Sequence, residues 1–373
     1  MRTTAGQNPA LRLNETPARV LVIVTRRIGD VLLTAPLIRT IKQSWPSVHI
    51  DLLVFRGTEG VLAGNPDIAR IIVVPASGFW RFARQIWRRY DLAISTSPSD
   101  RPTLYAWIAG KTRIGVMAGG FKNAWKRALL NANVAFDNLD VHTVVQNLQL
   151  ADLLGLPRHF EMPVQWSAED DAAIGRVFPE FSLTKFAVLH LYPKFIYKMW
   201  PIEQWRTLAH WLTDRGLTVV LTGGGDAGEK DYISRFAASV SPPPVDLAGR
   251  LDFTRLARLL NRAALYIGPD TVTTHLAAAM GTPTVALFGP SNPVKWGPWP
   301  RDYGLTGGES ASPYSLHGTQ SVGNVVLVQG TGACVPCLQE GCARHVASES
   351  VCLQMLPAAA VIEAAAKLLN AGS

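Results

Sequence analysis

The sequence predicts an α/β protein made of two tandem Rossmann-like lobes that face a central cleft. Three observations predict this class: a length of 373 residues, buried-strand patterns that alternate with segments of helical periodicity, and a restart of that alternation about halfway along the chain. One domain usually has about 100 to 200 residues. The length therefore predicts two domains and excludes a small binding module.

The composition excludes several classes of protein. Charged residues make up 17% of the chain and hydrophobic residues 48%, which is incompatible with intrinsic disorder or a collagen-like repeat. No stretch reaches the roughly 18 uninterrupted apolar residues of a membrane helix, and the N-terminus lacks the apolar core of a signal peptide. We therefore expect a cytoplasmic protein.

The net charge of +8 is unevenly distributed. Residues 1–135 contain 19 Lys and Arg against 7 Asp and Glu, whereas the remainder is net acidic. A basic half indicates an anionic partner, which would be nucleic acid, a membrane surface or a phosphorylated substrate. Arg-rich solvated helices explain the surplus equally well.

The first lobe is predicted to span residues 18–165. After a polar lead of about 17 residues that we expect to be disordered, residues 19–25 (RVLVIVT) form a continuous apolar run that is typical of a strand buried on both faces. The next segment, DVLLTAPLIRTIKQ, has helical periodicity. Further strands are predicted at 48–55, 70–74, 90–94 and 112–116, and a helix at 141–154.

The second lobe is predicted to span residues 166–356, followed by a C-terminal helix at 357–373. Its strands are predicted at 185–191, 217–222, 264–267 and 283–288, and its helices at 201–214, 228–238, 253–262 and 271–280. In such folds the ligand crevice lies at the carboxyl ends of the strands. A Gly- and Ser-rich stretch at 304–324 is predicted to be a flexible loop.

The first strand-to-helix turn contains Gly29 and Asp30. Asp30 has two interpretations: a helix N-cap that contributes about 1 kcal/mol, or a carboxylate that acts as a general base at the crevice. Spacing alone does not distinguish them.

A glycine-rich segment, LTGGGDAGEK (221–230), follows a predicted strand and formally satisfies G-x-G-x-x-G. It follows the second strand of its lobe, whereas the dinucleotide fingerprint belongs on the first. We interpret it as a loop that admits part of a nucleotide at Gly224, with Asp226 or Glu229 available to ribose hydroxyls.

The most informative segment is residues 266–300, where a strand leads into a helix of small residues. Helix N-termini bind anions through free amides and the helix dipole, so we expect a diphosphate site there. The residues expected to bind the diphosphate are Asp270, Thr271, Thr273, Thr274 and His275. Lys194 and Lys198 lie in the loop after the lobe's first strand, where a lysine would neutralise phosphate charge; solvent exposure is the alternative for both.

All four cysteines lie near the C-terminus, at Cys334, Cys337, Cys342 and Cys352. Their compact spacing permits a metal site, although it is not that of a standard zinc knuckle. Reduced structural thiols are the favoured interpretation, and no metal or other cofactor is expected.

Together these motifs resemble glycosyltransferase family 9, the ADP-heptose:lipopolysaccharide heptosyltransferases. The resemblance is carried by RIGDVLLTAPLIRTIKQSWP, YKMWP, LTGGGDAGE, the block DLAGRLDFTRLARLLNRAALYIGPDTVTTHLAAAMGTPTVALFGPSNP and the C-x2-C cluster. It covers nearly the whole chain in order. It implies a GT-B fold, with the acceptor on the first lobe, the nucleotide-sugar on the second and the final helix returning toward the first.

The resemblance also implies site roles. Asp30 matches the family's proposed base, Lys198 the lysine at the donor phosphate, and Asp226 the acidic group at the ribose, with Glu229 a competitor. The residues expected to bind the acceptor are Arg26, Arg27 and Lys122. Two departures, Val272 in place of a common Gly and Pro193-Lys194 in place of a Ser/Thr pair, affect the donor site and leave donors other than ADP-heptose open.

The expected function is an inverting, metal-independent transfer of heptose or a related sugar from an ADP-sugar to a lipopolysaccharide core or other lipid-linked acceptor. The enzyme would be cytoplasmic or peripheral at the inner face of the membrane, with no nucleic-acid partner. Two alternatives remain: an NAD-dependent oxidoreductase, suggested by the glycine pattern, and a non-catalytic binder of anionic polymers, suggested by the basic lobe. The sequence does not indicate an oligomeric state.

Overall fold

A computed structural model describes residues 11–304 and 312–371 of the chain. The chain divides into two compact units, Met1–Pro163 and Val164–Ser373. Each unit contains a mainly parallel β-sheet with helices packed against it. The protein is therefore an α/β protein with two Rossmann-like units in tandem.

The first unit contains a six-stranded parallel sheet with the order β3-β2-β1-β4-β5-β6. Its strands are β1 (Arg19–Val24), β2 (His49–Val54), β3 (Arg70–Val73), β4 (Tyr90–Ser95), β5 (Gly110–Met117) and β6 (Ala132–Ala135). Its helices are α1 (Ile28–Leu32), α2 (Ala35–Ser44), α3 (Phe79–Ile86), α4 (Asp100–Ala109), α5 (Ala124–Leu129) and α6 (Thr143–Asp152). Two short 3-10 helices cover Glu59–Leu62 and Phe121–Asn123.

Local sequence explains these elements. Val20 to Val24 are at most 1% exposed, as expected for a β-branched run at the centre of a parallel sheet. The predicted first helix is divided into α1 and α2. Pro36 lies in the first turn of α2 and has no backbone N–H to donate to the Leu32 carbonyl, so the helical hydrogen-bond pattern is interrupted at this junction.

The parallel arrangement places the functional loops of the first unit at one edge. Because all six strands point in the same direction, the turns that follow β1, β4 and β5 lie at the carboxyl edge of the sheet. A backbone hydrogen bond from Thr96 N to the Ile23 carbonyl (3.2 Å) joins the ends of β4 and β1. The Gly29-Asp30 turn therefore lies beside the loop that follows β4.

The second unit contains a seven-stranded sheet with the order β12-β13-β11-β10-β7-β8-β9, in which only β12 pairs antiparallel among the described strands. Its strands are β7 (Phe186–His190), β8 (Thr218–Thr222), β9 (Val245–Asp246), β10 (Leu265–Pro269), β11 (Thr284–Phe288), β12 (Gln320–Val322) and β13 (Val325–Gln329). Its helices are α7 (Ala168–Val177), α8 (Ile202–Thr213), α9 (Ala227–Ala237), α10 (Phe253–Arg262), α11 (Val272–Ala279), α12 (Pro293–Trp296), α13 (Val351–Gln354) and α14 (Ala358–Ala371), with a 3-10 helix at Ile196–Lys198.

The prediction of a flexible loop at 304–324 is wrong for the residues of this stretch that the structure describes. Residues 305–311 lie outside the described residues, but Tyr314 is only 4% exposed and packs in a cluster with Phe288 and Leu327. Residues 320–322 then form β12. Similarly, residues 1–10 of the predicted disordered lead lie outside the described residues, whereas Leu11 already donates a backbone hydrogen bond to Leu153 (2.6 Å).

The C-terminal helix α14 packs within the second unit. Val361, Ala364 and Ala365 are buried in its main core cluster, and α14 contacts α8 and strands β10, β11 and β13. Trp200 anchors the preceding turn because its indole Nε1 donates to the Leu356 carbonyl (2.8 Å). The expected return of this helix toward the first lobe stays a prediction.

Within residues 11–304 and 312–371, the structure contains no helix that is both long and apolar enough to span a bilayer.

Candidate functional site

Asp30 lies in the first turn of α1, at the carboxyl edge of the first unit's sheet. The N-cap of this helix is Arg27, and it makes no side-chain capping hydrogen bond. The interpretation of Asp30 as the N-cap is therefore wrong. The helix begins at Ile28, so Asp30 is its third residue and lies three positions after the N-cap. Its side chain is 12% exposed and pairs with Arg26 Nε at 3.5 Å.

A buried lysine supports the loop that follows β4. Lys126 of α5 is 4% exposed; its Nζ donates to the Pro98 carbonyl (2.7 Å) and pairs with Asp100 Oδ1 (3.0 Å). A buried ammonium group needs such partners to offset the loss of hydration. Lys126 thereby supports the loop beside Asp30, a role that no sequence motif indicated.

The structure places the expected acceptor-binding residues at the same edge, but not all together. Arg26 pairs with Asp30, and Arg27 is exposed beside it. Lys122 is also exposed, in the 3-10 helix after β5, and β5 is two positions from β1 in the sheet order. Only the two arginines adjoin the Asp30 turn.

In the second unit, Lys198 and Asp270 form a buried ion pair. Lys198 Nζ lies 2.5 Å from Asp270 Oδ2 and also donates to the Asp270 carbonyl (3.2 Å). The two side chains are 16% and 9% exposed. The loop after β7 supplies the lysine and the end of β10 supplies the carboxylate, so neighbouring strands bring the pair together.

Two further residues complete this cluster. His275 Nε2 lies 3.8 Å from Asp270 Oδ1, and Ser291, in the loop after β11, donates a hydrogen bond to the Asp270 carboxylate. Burial raises the pKa of Asp270, but the pKa is held below its usual value, and the charge of Lys198 is the largest of the opposing effects. Asp270 is therefore a stable anion that fixes the Lys198 ammonium group in position.

His275 is buried and electrically neutral near pH 7. Burial lowers the pKa of its imidazole from 6.5 to about 4. Its Nδ1 has no hydrogen-bond partner in the protein, and buried polar atoms of this kind usually have one. The site thus retains one unused buried donor or acceptor beside the ion pair.

The N-terminus of α11 adjoins the same cluster. Its N-cap, Thr271, makes no side-chain capping hydrogen bond, whereas Asp226, Asp252 and Asn292 do cap their helices. Uncapped first-turn amides and the helix dipole favour an anion. Lys198 places a cation beside this terminus, so the region is suited to a phosphate group.

Thr274 has a structural role within this helix. It is 1% exposed, and its hydroxyl donates to the Pro269 carbonyl while contacting the Tyr266 hydroxyl at 2.9 Å. Burial raises the pKa of Tyr266 far above its usual value, so this phenol stays protonated. Thr273 is also buried at 3% exposure, whereas Thr271 is partly exposed. Of the three predicted threonines, Thr271 is the most accessible to a ligand.

The glycine-rich loop follows β8 and rests on Glu229. This carboxyl group accepts a hydrogen bond from the Gly224 backbone, and burial together with the neighbouring Asp226 raises its pKa. Asp226 caps α9 through Gly228 N (2.9 Å). Both acidic residues proposed for a ribose therefore lie at this loop, with Asp226 exposed and Glu229 buried beneath it.

The contact between Glu229 and the loop gives a test of loop packing. A Cβ atom at Gly223 would lie 2.6 Å from Glu229 Oε1 and 2.7 Å from Ile233 Cδ1, whereas a Cβ at Gly225 would have no heavy atom within 4 Å. We expect Gly223→Ala to lower the free energy of unfolding by about 1–3 kcal/mol, the usual cost of overpacking. Gly225→Ala, the matched control, should unfold in denaturant close to the wild type. Equal losses in the two variants would contradict this packing.

A buried histidine at the carboxyl end of β7 predicts acid sensitivity. Burial lowers the pKa of His190 from 6.5 to about 4, and its Nδ1 contacts Thr222 Oγ1 at 3.2 Å. Because the unfolded chain binds the proton more tightly, the contribution of His190 to stability is complete above about pH 6.5 and is lost as the pH falls toward 4. The loss is on the order of 3 kcal/mol. His275 acts in the same direction.

Urea unfolding at a series of pH values checks this expectation. His190→Gln should reduce the loss of unfolding free energy between pH 7 and pH 4, since glutamine does not titrate. His210→Gln, at an exposed position of α8, is the control and should leave the wild-type pH dependence. An unchanged pH dependence in His190→Gln would contradict the assignment.

The four cysteines are free thiols. Cys352 is buried, Cys337 is partly exposed, and Cys334 and Cys342 are exposed. Burial raises the pKa of the Cys352 thiol to about 11, so this free thiol stays protonated near pH 7. In the described part of the chain, no group of three or more His, Cys, Asp or Glu side chains is placed to hold a metal ion. The metal site that the cysteine spacing permitted is therefore not assembled in this structure.

Sequence reasoning placed Lys198 and Lys194 in one loop, and the structure separates their roles. Lys198 is part of the buried pair, whereas Lys194 is exposed, with its Nζ 5.9 Å from the Phe195 ring. Sequence reasoning did not identify Ser291 or His190 as site residues. Both follow or end a strand at the carboxyl edge, and a search for polar residues at predicted strand ends would have found them.

Comparisons with known proteins agree with this architecture. Residues 79–325 match the family described as glycosyltransferase family 9 (heptosyltransferase). Among curated relatives, lipopolysaccharide heptosyltransferase 3 from Escherichia coli K12 is 28% identical over 286 residues, which cover 73% of this chain and 82% of that protein.

Two solved structures are similar in fold. The E. coli ADP-heptose lps heptosyltransferase II superposes with a TM-score of 0.74 at 20% identity, covering 95% of this chain and 99% of that one. The E. coli heptosyltransferase WaaC with ADP has a TM-score of 0.67 at 20% identity, covering 92% and 98%. These similarities identify the fold as GT-B.

Proposed function

The chain belongs to glycosyltransferase family 9, and from this premise we propose that it transfers a heptose or related sugar from an ADP-sugar, such as ADP-heptose, to a lipopolysaccharide core or another lipid-linked acceptor. The relative and the two structures described above are named as heptosyltransferases, and one of the structures contains ADP. The acceptor would lie at the inner face of the membrane, where a cytoplasmic or peripheral enzyme can reach it.

The observation that carries the proposal is the cluster at the N-terminus of α11. Lys198, which is fixed in position by its ion pair with Asp270, presents an ammonium group beside the uncapped helix amides, and the glycine-rich loop lies at the same carboxyl edge of the second unit's sheet. A nucleoside diphosphate carries its negative charge on phosphates and needs close backbone approach. The cluster is suited to such a donor.

The reaction requires one base and a stabilised leaving group. The acceptor hydroxyl oxygen forms a bond with the anomeric carbon, its proton passes to the Asp30 carboxylate, and the bond between that carbon and the phosphate oxygen breaks. In-line attack from the opposite face inverts the anomeric configuration. Lys198 and the α11 amides neutralise the charge that develops on the departing diphosphate. In some other transferases a metal ion has this function.

The first unit has the charge expected for an anionic acceptor. Residues 1–135 carry a surplus of 12 basic residues, and Arg26 and Arg27 adjoin Asp30. A phosphorylated inner-core saccharide would be attracted to such a surface. We assign these two arginines, with Lys122, to acceptor binding.

A thermal-shift screen of nucleotides tests the donor class. We expect ADP to raise the unfolding temperature more than UDP or GDP do, since a ligand that binds only the folded state stabilises it. A flat response to all three would overturn the proposed donor site. Transfer from ADP-heptose should persist in EDTA, and NMR of the product should show the inverted anomeric configuration.

The same thermal-shift screen also tests the alternative function, an NAD-dependent oxidoreductase. The G-x-G-x-x-G pattern follows β8, beside β7, and Glu229 fills the space below Gly223 and Gly224. A dinucleotide fingerprint would follow β7, the first strand of this unit. NAD should therefore give no larger shift than AMP, and a specific nicotinamide effect would favour the alternative.

A further inference from the structure

The first unit has large aromatic side chains that are exposed to solvent and are not packed in its core. Trp80 at the start of α3 is 80% exposed, Phe121 is 95% exposed and Trp125 is 47% exposed. Aromatic rings usually contribute to stability by burial. On α3 the core face is formed by Phe82, Ala83 and Ile86, so Trp80 lies on the opposite, solvent-facing side of the helix.

These aromatics alternate with basic residues and almost no acids. Arg81 and Arg84 are exposed on α3, and Arg127 is exposed on α5. Neither 79–89 nor 119–129 contains an Asp or Glu, although together they contain seven Lys and Arg. We call the set Trp80, Arg81, Arg84, Phe121, Trp125 and Arg127 the aromatic–basic surface.

The topology of the first unit places these segments at one edge. Helix α3 begins after β3, and Phe121 follows β5; because the strands are parallel, both positions lie at the carboxyl edge of the sheet. Helix α4 contacts both α3 and α5. Asp30, after β1, lies at the same edge.

We propose that the aromatic–basic surface docks the enzyme on an anionic membrane. Trp and Phe rings are stable at the boundary between lipid headgroups and acyl chains. Arg and Lys side chains are attracted to anionic headgroups over about one Debye length. Docking would bring the carboxyl edge that carries Asp30 to the membrane surface, where a lipid-linked acceptor is anchored.

Other partners fit the surface less well. A second copy of the chain would bring one basic surface against another, which is electrostatically unfavourable. An anionic polymer without aromatic groups, such as a polyphosphate or an acidic polysaccharide, would engage the arginines but would give no reason for the 95% exposure of the Phe121 ring. A membrane uses both the charges and the rings.

Vesicle binding without donor or acceptor tests the inference. The protein is sedimented with phosphatidylcholine vesicles that contain one third phosphatidylglycerol, and with pure phosphatidylcholine vesicles, at low and high salt. We expect binding to the anionic vesicles, weaker binding in high salt, and a blue shift of tryptophan fluorescence. Trp80→Ser with Phe121→Ser, and separately Arg81→Gln with Arg84→Gln, should each weaken partitioning roughly 30-fold.

Matched controls lie in the second unit. Leu183→Ser with Met355→Ser removes two apolar side chains that are 85% and 68% exposed, and Arg176→Gln with Lys185→Gln removes two exposed charges. Both double variants should partition like the wild type. Thermal unfolding checks that all variants fold.

Three outcomes would overturn the inference: no wild-type binding to anionic vesicles, unchanged binding after loss of the two aromatics, or a wild-type dimer that these variants convert to monomer. The inference rests on the proposed function for its biological reason, but the vesicle assay does not depend on catalysis. Transfer to a delipidated, water-soluble acceptor should be unchanged in the surface variants, so failure of docking and failure of the proposed reaction are distinguished.

Discussion

Asp30→Ala is expected to abolish sugar transfer while it leaves donor binding nearly intact. A positioned general base contributes about 10²–10⁴-fold to a rate, and alanine cannot accept the proton of the acceptor hydroxyl. The residues assigned to the donor all lie in the second unit, Val164–Ser373, whereas Asp30 lies in α1 of the first. The rate of transfer from ADP-heptose and the Kd of ADP by calorimetry measure the two effects separately.

Two further variants sharpen this experiment. Asp30→Asn keeps the shape of the side chain and should lose transfer to a similar extent, because the amide is not a base. Asp140→Asn removes an exposed carboxylate of the same unit, in the segment between β6 and α6, and it should retain the wild-type rate within a few-fold. Full activity in Asp30→Ala would remove this residue from the mechanism.

Lys198→Met is expected to reduce both donor binding and stability. It removes the partner of a carboxylate that is 9% exposed, and loss of one member of a buried ion pair costs about 3–5 kcal/mol of unfolding free energy. The pKa of Asp270 should rise, because burial raises it and Lys198 opposes that effect. ADP affinity should fall at least tenfold, since a charge-assisted hydrogen bond to phosphate contributes about 1.5–3 kcal/mol.

The double variant Lys198→Met with Asp270→Asn separates stability from binding. Without the buried anion, it should recover much of the unfolding free energy in denaturant, yet it should still bind ADP weakly. Lys194→Met serves as the matched control, because this lysine is exposed in the same loop, and it should unfold like the wild type. A Lys198→Met protein that bound ADP as tightly as the wild type would refute the phosphate contact.

The predicted elements of both units were largely correct. The predicted helix at 253–262 coincides with α10 (Phe253–Arg262), and the strand predicted at 283–288 differs from β11 by one residue. Four strands were missed: β6 (Ala132–Ala135), β9 (Val245–Asp246), β12 (Gln320–Val322) and β13 (Val325–Gln329). The apolar runs of β6, β9 and β12 are too brief for a periodicity signal, and pairing with a neighbouring strand stabilises them. β13 is apolar and buried along its whole length, so its sequence pattern was sufficient and the prediction overlooked it.

Local sequence patterns contain the candidate residues but not the contacts between them. The motif around 266–300 pointed to Asp270 and His275, and the loop at 190–201 pointed to Lys198. The contact between Lys198 and Asp270 joins residues that are 72 positions apart, and the support of Pro98 by Lys126 joins residues 28 apart. Neither pair has a local pattern.

Residue patterns within about ten positions were therefore sufficient to predict the α/β class and the tandem order of the two units. They were also sufficient to select the segments that contain the candidate site residues. Hydrophobic runs and helical periodicity can be recognised in short stretches of sequence. Tertiary structure alone decided that Lys198 is buried while Lys194 is exposed, that Glu229 lies beneath the glycine-rich loop, and that Trp80 faces solvent. The physical reason is that burial and ion pairing depend on which strands become neighbours, and that order is set by packing across the whole sheet.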